Sequence, residues 1–174
     1  MMDRVEIRKR NTDFETGWEQ KWHSLQYKEL TPNQLLEAYP LISQLRKHLS
    51  VEEFVETAKQ MMTCGYRAIC LYDGKKILAY AGFAELLNLY YGRHIWIYEL
   101  VVDEENRGKG LGKILLSHIE DYAKEKNLSC IALSSSLEKE NAHRFYEGKM
   151  DFGKVSYVFK KDLGKRGLDK GAIK

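Results

Sequence analysis

Residues 94–113 read HIWIYELVVDEENRGKGLGK, and the fold follows from how that stretch divides. Its first part, His94–Val102, is apolar on both faces except at Glu99, the pattern of a central strand covered on both sides. Beyond it, Gly110 to about Lys126 carries Ile114, Leu115, Ile119 and Tyr122 at helical spacing. Between strand and helix lies Arg107-Gly108-Lys109-Gly110-Leu111-Gly112-Lys113. Free N–H groups at a helix N-terminus, backed by the helix dipole, attract phosphate. Glycines there let the backbone come close to an anion, and Arg107 and Lys109 add positive charge. The spacing argues against two common nucleotide loops. A Walker A loop needs one more residue and a Ser or Thr for magnesium, and a dinucleotide fingerprint needs its third glycine elsewhere. A turn that only caps a helix is the plain alternative.

Outward from this centre the pattern alternates strands and helices. Leu25–Leu30 suits a short strand, and Thr31-Pro32 opens a helix, with Thr31 as cap and Leu35, Tyr39, Ile42 and Leu45 on its apolar face. Ser50-x-x-Glu53 reads as a capping box for a second helix that Gly65 ends. Tyr66–Tyr72 and Ile77–Ala84 read as strands joined at Asp73-Gly74, a hairpin signal. After the central helix come a strand at Ser129–Leu133, a helix at Asn141–Lys149 and a last strand at Lys154–Phe159. The expected class is α/β (α+β), a mixed central sheet with helices on both faces and a parallel crossover through the Gly110 helix.

Composition sets bounds on function. The chain has 174 residues, 44% hydrophobic and 30% charged, suited to one soluble domain. A net charge of +3 falls short of a nucleic-acid footprint and suits an anionic ligand at one site. Much of the surplus lies in Lys160, Lys161, Lys165, Arg166, Lys170 and Lys174, read as a solvated tail. Three cysteines without a CxxC pair suggest neither a disulfide framework nor a zinc site, and reduced thiols suit a cytoplasmic protein. No run of about 18 apolar residues exists, so no membrane-crossing span is expected. Residues 1–24 are expected to form an appendage, 25–162 the domain and 163–174 a basic tail. Oligomeric state stays open, a homodimer included.

Arg107-Gly108-Lys109-Gly110-Leu111-Gly112 resembles the [RQ]-x-x-G-x-[GA] signature of the GNAT (GCN5-related) acetyltransferases. Ala142-His143-Arg144-Phe145-Tyr146-Glu147 is similar to that family's A-x-x-F-Y-E segment, at the expected distance downstream. The resemblance covers roughly residues 25–162. It implies the GNAT acyl-CoA N-acyltransferase fold, whose fourth and fifth strands splay to admit the pantetheine arm of acetyl-CoA, with no metal. Here those strands are His94–Val102 and Ser129–Leu133. Leu100, Val101 and Val102 would offer backbone groups to pantetheine, with Val101 or Val102 as oxyanion donor. Amides from Gly108 to Lys113, including those of Lys109, Gly110, Leu111 and Gly112, would cradle the pyrophosphate. Two departures stand out. Lys139 occupies the position where the family often has a cofactor-binding Asn, so that Asn141 is the candidate substitute. Asp151 precedes Phe152 where the family prefers glycine before an aromatic.

Acetyl transfer needs a deprotonated amine, an oxyanion donor and protonation of the departing thiolate. Tyr146 is the candidate acid, since a phenol with pKa about 10 stays protonated at neutral pH. Glu99 is the candidate base, because a carboxylate inside an apolar strand is costly to bury without purpose; a structural ion pair is its alternative. His94, on the same strand, is the runner-up base, with an exposed strand-start histidine as its alternative reading, and Glu85, near a strand end, ranks third. Tyr90, Tyr91, Trp96 and Tyr98 are packing residues or part of an acceptor cleft. The expected function is acetyl transfer from acetyl-CoA to a primary amine, on a small molecule or a peptide, in a ternary complex. No His is evident beside Cys130 to support an acetyl-enzyme. A CoA-binding regulatory module without catalysis is the competing class, and a nucleoside-triphosphate binder a weaker one.

Overall fold

In the computed structural model, residues 25–164 are described; the expected appendage and most of the basic tail lie outside them. Strand β1 (Gln26–Glu29) leads through a 3-10 turn at Leu35–Ala38 into α1 (Tyr39–Leu45) and α2 (Val51–Thr63). Strands β2 (Tyr66–Tyr72), β3 (Ile77–Asn88) and β4 (Gly92–Val102) follow, then a 3-10 turn at Glu104–Asn106. Helix α3 (Leu111–Glu125), strand β5 (Ile131–Leu133) and helix α4 (Glu140–Met150) complete the order. The sheet runs β1-β2-β3-β4-β5, antiparallel throughout except for the parallel β4–β5 pair. This is the expected mixed sheet. Among the described residues no helix is long and apolar enough to cross a membrane.

Two apolar clusters divide the interior. Leu111, Leu115, Leu116, Ile119 and Ala123 of α3 pack on Leu78, Ala81, Phe83, Ile95 and Ile97. Leu35, Leu41, Ile42, Phe54 and Ala58, from the α1–α2 region, pack with Tyr66, Ala68, Tyr80 and Val101. Each fully buried Leu, Ile or Phe contributes about 1.5–3 kcal/mol of transfer free energy, so these two stripes fix the sheet between its helices.

The local chemistry explains most boundaries. Ser50 Oγ accepts from the Glu53 N–H at 3.1 Å while Glu53 accepts from the Ser50 N–H at 2.9 Å, the complete capping box. Asp73 Oδ1 accepts from the Lys75 and Lys76 N–H groups, both at 2.9 Å, so the hairpin closes through a side chain.

Three expectations need correction. Pro32 does not open a helix. Gln34 Oε1 accepts from the Thr31 N–H and hydroxyl, closing a turn, and Pro40 instead enters the first turn of α1. Strand β5 is three residues rather than five, although the Ile95 N–H still reaches the Cys130 carbonyl at 3.0 Å. Residues 154–159 form no strand; they are irregular and exposed. Their alternation is right for a strand, but no backbone hydrogen bond ties them to a strand of the described chain.

Candidate active site

A β-bulge decides what β4 presents to each side. Gly82 pairs with Glu99 and Phe83 with Ile97, which leaves Tyr98 as the extra residue. Before it, Ile95 and Ile97 face the α3 cluster; after it, Leu100 and Val102 do, and Val101 turns to the α1–α2 cluster. Without the bulge, the odd-numbered residues would stay on the α3 side. The extra residue therefore carries Glu99 onto the α1–α2 face.

There Glu99 sits in a defined network. Its Oε1 accepts from Arg46 Nη2 at 3.1 Å, and its Oε2 accepts from the Tyr66 hydroxyl at 2.9 Å. Tyr66 and Tyr80 share a further hydrogen bond of 2.7 Å. Burial pushes the Tyr66 phenol well above its ordinary range, and the neighbouring Tyr80 and Glu99 add to the effect. Gly82 makes the arrangement possible, since a Cβ there would lie 1.8 Å from the Tyr66 hydroxyl and 2.7 Å from Glu99 Oε2. Tyr98 tilts over Tyr66 at 5.7 Å. A small cavity of about 50 Å³ opens beside Glu99 and Tyr66, walled by Ile42, Phe54 and Met61 among others. Of the four aromatic candidates, Tyr98 is thus beside the carboxylate, whereas Tyr90 is exposed at the β3–β4 turn.

The opposite edge of β4 is open beyond Ile97. Strand β5 pairs only with Ile95, Trp96 and Ile97. Past that point the Asp103 N–H donates to Leu78 on β3, while the Val102 carbonyl accepts from Arg107 Nε at 3.2 Å. Backbone polar groups alternate sides along a strand, so Leu100 and Val102 aim theirs away from β3 into the gap, and Val101 aims its own toward β3. Of the two oxyanion candidates named from sequence, Val102 therefore faces the gap and Val101 does not.

The gap leads to the N-terminus of α3. Gly108 and Gly110 have φ of +78° and +82°, a region that favours glycine. Gly110 is the N-cap, with no side chain capping the helix, so the first N–H groups of α3 remain available to an anion. Asp103 anchors the loop: its carboxylate accepts from Gln44, Lys76 and Asn106 at 2.8 to 3.1 Å. The Lys76 contact leads in holding it below the usual carboxylate range. Lys109 Nζ folds back onto the Glu105 carbonyl and Asn106, and Lys113 is exposed. An open strand edge running into an uncapped glycine-rich helix start suits a ligand that carries an amide chain and a pyrophosphate.

Helix α4 closes on the same place. A Cβ on Gly112 would meet the Phe145 ring and Val102 Cγ2, both at 3.5 Å, so the two sequence landmarks lie side by side. Tyr146 packs between Phe145 and Phe152, with centroids at 5.3 and 5.7 Å. Its hydroxyl has no hydrogen-bond partner among the described residues, and burial pushes its pKa up. Asn141 accepts from Arg144 on its own helix. Lys139, the α4 N-cap, has its pKa lowered by burial first and then by Arg46, so α4 brings a cation near the Glu99 network.

The remaining candidates fall elsewhere. His94 is fully buried rather than exposed, because the neighbouring turn folds Tyr91 over it at 5.2 Å. Its Nδ1 lies 2.9 Å from the Gly92 carbonyl, and Nε2 has no partner. Glu85 is engaged by Tyr122 and Arg93. Sequence reasoning missed Arg46, Tyr66 and Gly82. Arg46 had no signal; the lone glycine inside β3 was the one hint of a close approach.

Comparison with known proteins agrees with this geometry. The model of the acetyltransferase (GNAT) family matches residues 14–152. An uncharacterized N-acetyltransferase, YhdJ, of Bacillus subtilis (strain 168) is 36% identical over 128 residues, 73% of this chain and 90% of that protein. The crystal structure of a Trypanosoma brucei acetyltransferase superposes with a TM-score of 0.67 at 25% identity, covering 80% of this chain and 99% of that one. A ribosomal-protein-alanine N-acetyltransferase from Brucella melitensis biovar Abortus 2308 shares the fold, with a TM-score of 0.67 at 20% identity over 79% of this chain and 99% of its own. The open edge of β4, the glycine turn and the Phe145-Tyr146 landmark thus belong to a chain that is a member of the GNAT acetyltransferase family.

Proposed function

We propose that the protein transfers an acetyl group from acetyl-CoA to a primary amine by direct attack in a ternary complex. The observation that carries this reading is the continuity of the open β4 edge with the uncapped start of α3, Tyr146 lying alongside. In this reading the amides from Gly108 to Lys113 receive the pyrophosphate, with Arg107 and Lys109 adding charge. The free N–H groups of Leu100 and Val102 line the acyl-pantetheine arm, and the one nearer the thioester carbonyl polarises it. Asn141 supplies a further polar contact to the cosubstrate. Glu99, held by Arg46 and Tyr66, accepts the proton that the incoming ammonium must lose, and Tyr146 protonates the departing thiolate.

Continuous assay of free thiol with acetyl-CoA and a panel of primary amines, both small molecules and peptides, tests the reading. Thiol release is expected only when acetyl-CoA and an accepted amine are both present. Binding of acetyl-CoA without release against any amine on a broad panel would instead mark a CoA-sensing regulator.

A further inference from the structure

Glu99 is one of three charges at its corner of the site. Arg46 Nη2 donates to Glu99 Oε1 and to the Tyr98 carbonyl, both at 3.1 Å. Tyr98 is the first residue of β4 beyond Ile97, the last one paired with β5. The guanidinium therefore stands where the two strands part, at the head of the open edge. Both bonds use one nitrogen, so Nη1 and Nε have no partner among the described residues. Lys139, at the start of α4, is a second cation here. Burial first, and then the charge of Arg46, hold its pKa below the ordinary lysine value. No carboxylate pairs with it among the described residues. Two cations thus share one carboxylate, and the corner carries a net positive charge.

The same carboxylate borders an apolar recess. The cavity of about 50 Å³ is walled by Ile42, Phe54, Ala58 and Met61, and its charged lining is Arg46 and Glu99. At ~10–15 Å³ for each water-sized group, it takes about three or four carbon atoms. A carboxylate, a pair of cations and an apolar recess therefore meet at one place. Arg46 and Glu99 lie 3.1 Å apart, so an acceptor that engages both holds its amine and its anion close together, as on a single carbon. An α-amino acid carries the three matching groups on one carbon: an ammonium, a carboxylate and a side chain. A peptide N-terminus or a lysine side chain brings the amine without the anion. It leaves the donors of Arg46 and Lys139 unpaired, and a site built to hydrogen-bond a group rejects the analogue that lacks it.

We propose that the acceptor is a free α-amino acid with a compact aliphatic side chain. Its ammonium meets Glu99, its carboxylate meets Arg46 and Lys139, and its side chain enters the recess. The free N–H groups of the guanidinium and the Lys139 ammonium both give charge-assisted hydrogen bonds to the carboxylate. This assignment rests on the acetyl transfer proposed above. In the reaction the ammonium loses a proton to Glu99, and a new C–N bond to the acetyl carbon replaces the C–S bond. The departing thiolate takes its proton from Tyr146, and the products are the N-acetyl amino acid and CoA.

Thiol release from acetyl-CoA by the full chain, measured with matched acceptors, tests this. The acceptors are L-leucine, L-leucinamide, glycine, L-tryptophan and a tripeptide with N-terminal leucine. Leucine is expected to exceed its amide and the peptide by at least about tenfold in kcat/KM, the loss expected when hydrogen bonds to a charged group are removed. It should also exceed glycine, which leaves the recess empty, and tryptophan, which overfills it. Lys139→Gln is expected to narrow the leucine-to-leucinamide ratio, and an unchanged ratio in a folded variant would overturn the part given to Lys139. Equal rates with leucine and leucinamide, or a preference for the peptide, would overturn the amino-acid assignment and leave acetyl transfer standing. Thiol release with none of these acceptors, nor with a wider amine panel, would overturn both. A melting rise with acetyl-CoA would then show that the cosubstrate site itself survives. The wild-type series decides the matter even if the variant fails to fold.

Discussion

Replacing Tyr146 with phenylalanine is expected to lower kcat for acetyl transfer by about 100-fold, the lower end of what a positioned general acid contributes. The ring packs between Phe145 and Phe152, so the substitution keeps the buried surface and the fold. Only the hydroxyl is lost, and it has no hydrogen-bond partner among the described residues. Affinity for acetyl-CoA should therefore hold, which separates loss of the acid from loss of binding. The pH dependence has a definite sign. Burial raises the Tyr146 pKa above the ordinary phenol value of about 10, so the acid stays protonated through neutral and mildly alkaline pH. Wild-type kcat should show no decline from this group until pH exceeds that value, and the decline should be absent in the variant. Turnover equal to wild type would remove Tyr146 from the chemistry.

Glu99→Gln is expected to lower kcat/KM by about 100-fold near neutral pH. The amide preserves shape and can still accept from Tyr66, while Arg46 keeps its hydrogen bond to the Tyr98 carbonyl at 3.1 Å. The ion pair that is lost joins a 38% exposed Arg46 to a 16% exposed Glu99, so its removal costs about 1–3 kcal/mol of stability and does not explain a loss of turnover in protein that stays folded. A lysine-like acceptor has a pKa of about 10.4. Without a base, the rate should follow the fraction of amine already deprotonated, rising about tenfold per pH unit below that value. A base role thus predicts partial recovery at high pH. If Glu99 is only the partner of Arg46, the variant would instead melt slightly earlier with unchanged turnover.

What the sequence made legible was the part governed by local rules. The capping box at Ser50, the Gly65 stop, the Asp73-Gly74 hairpin and the Arg107–Gly112 turn each depend on residues a few positions apart. What escaped depended on pairing across the sheet. Nothing in HIWIYELVV announces that Tyr98 is an extra residue, yet that bulge decides which face Glu99 occupies and which backbone groups enter the gap. Arg46 is more than 50 residues from Glu99 in sequence, and only the folded chain brings them together. Pro32 misled because a side chain of Gln34 closed the turn before a helix could begin. The last strand misled for a different reason: its alternation was real, and no backbone ladder forms along it among the described residues.

In the proposed function, the β4 edge and the α3 start form an acetyl-CoA site. The most direct test is the melting midpoint with and without acetyl-CoA, beside ATP-magnesium and NAD at equal concentration. At about 100 times the dissociation constant a ligand stabilises by about 2.7 kcal/mol, which for this chain length raises the midpoint by about 5 °C or more. A rise with acetyl-CoA and none with the other two is the expected result. No rise with acetyl-CoA, or a larger one with ATP-magnesium, would contradict the assignment of the glycine turn and every residue role built upon it.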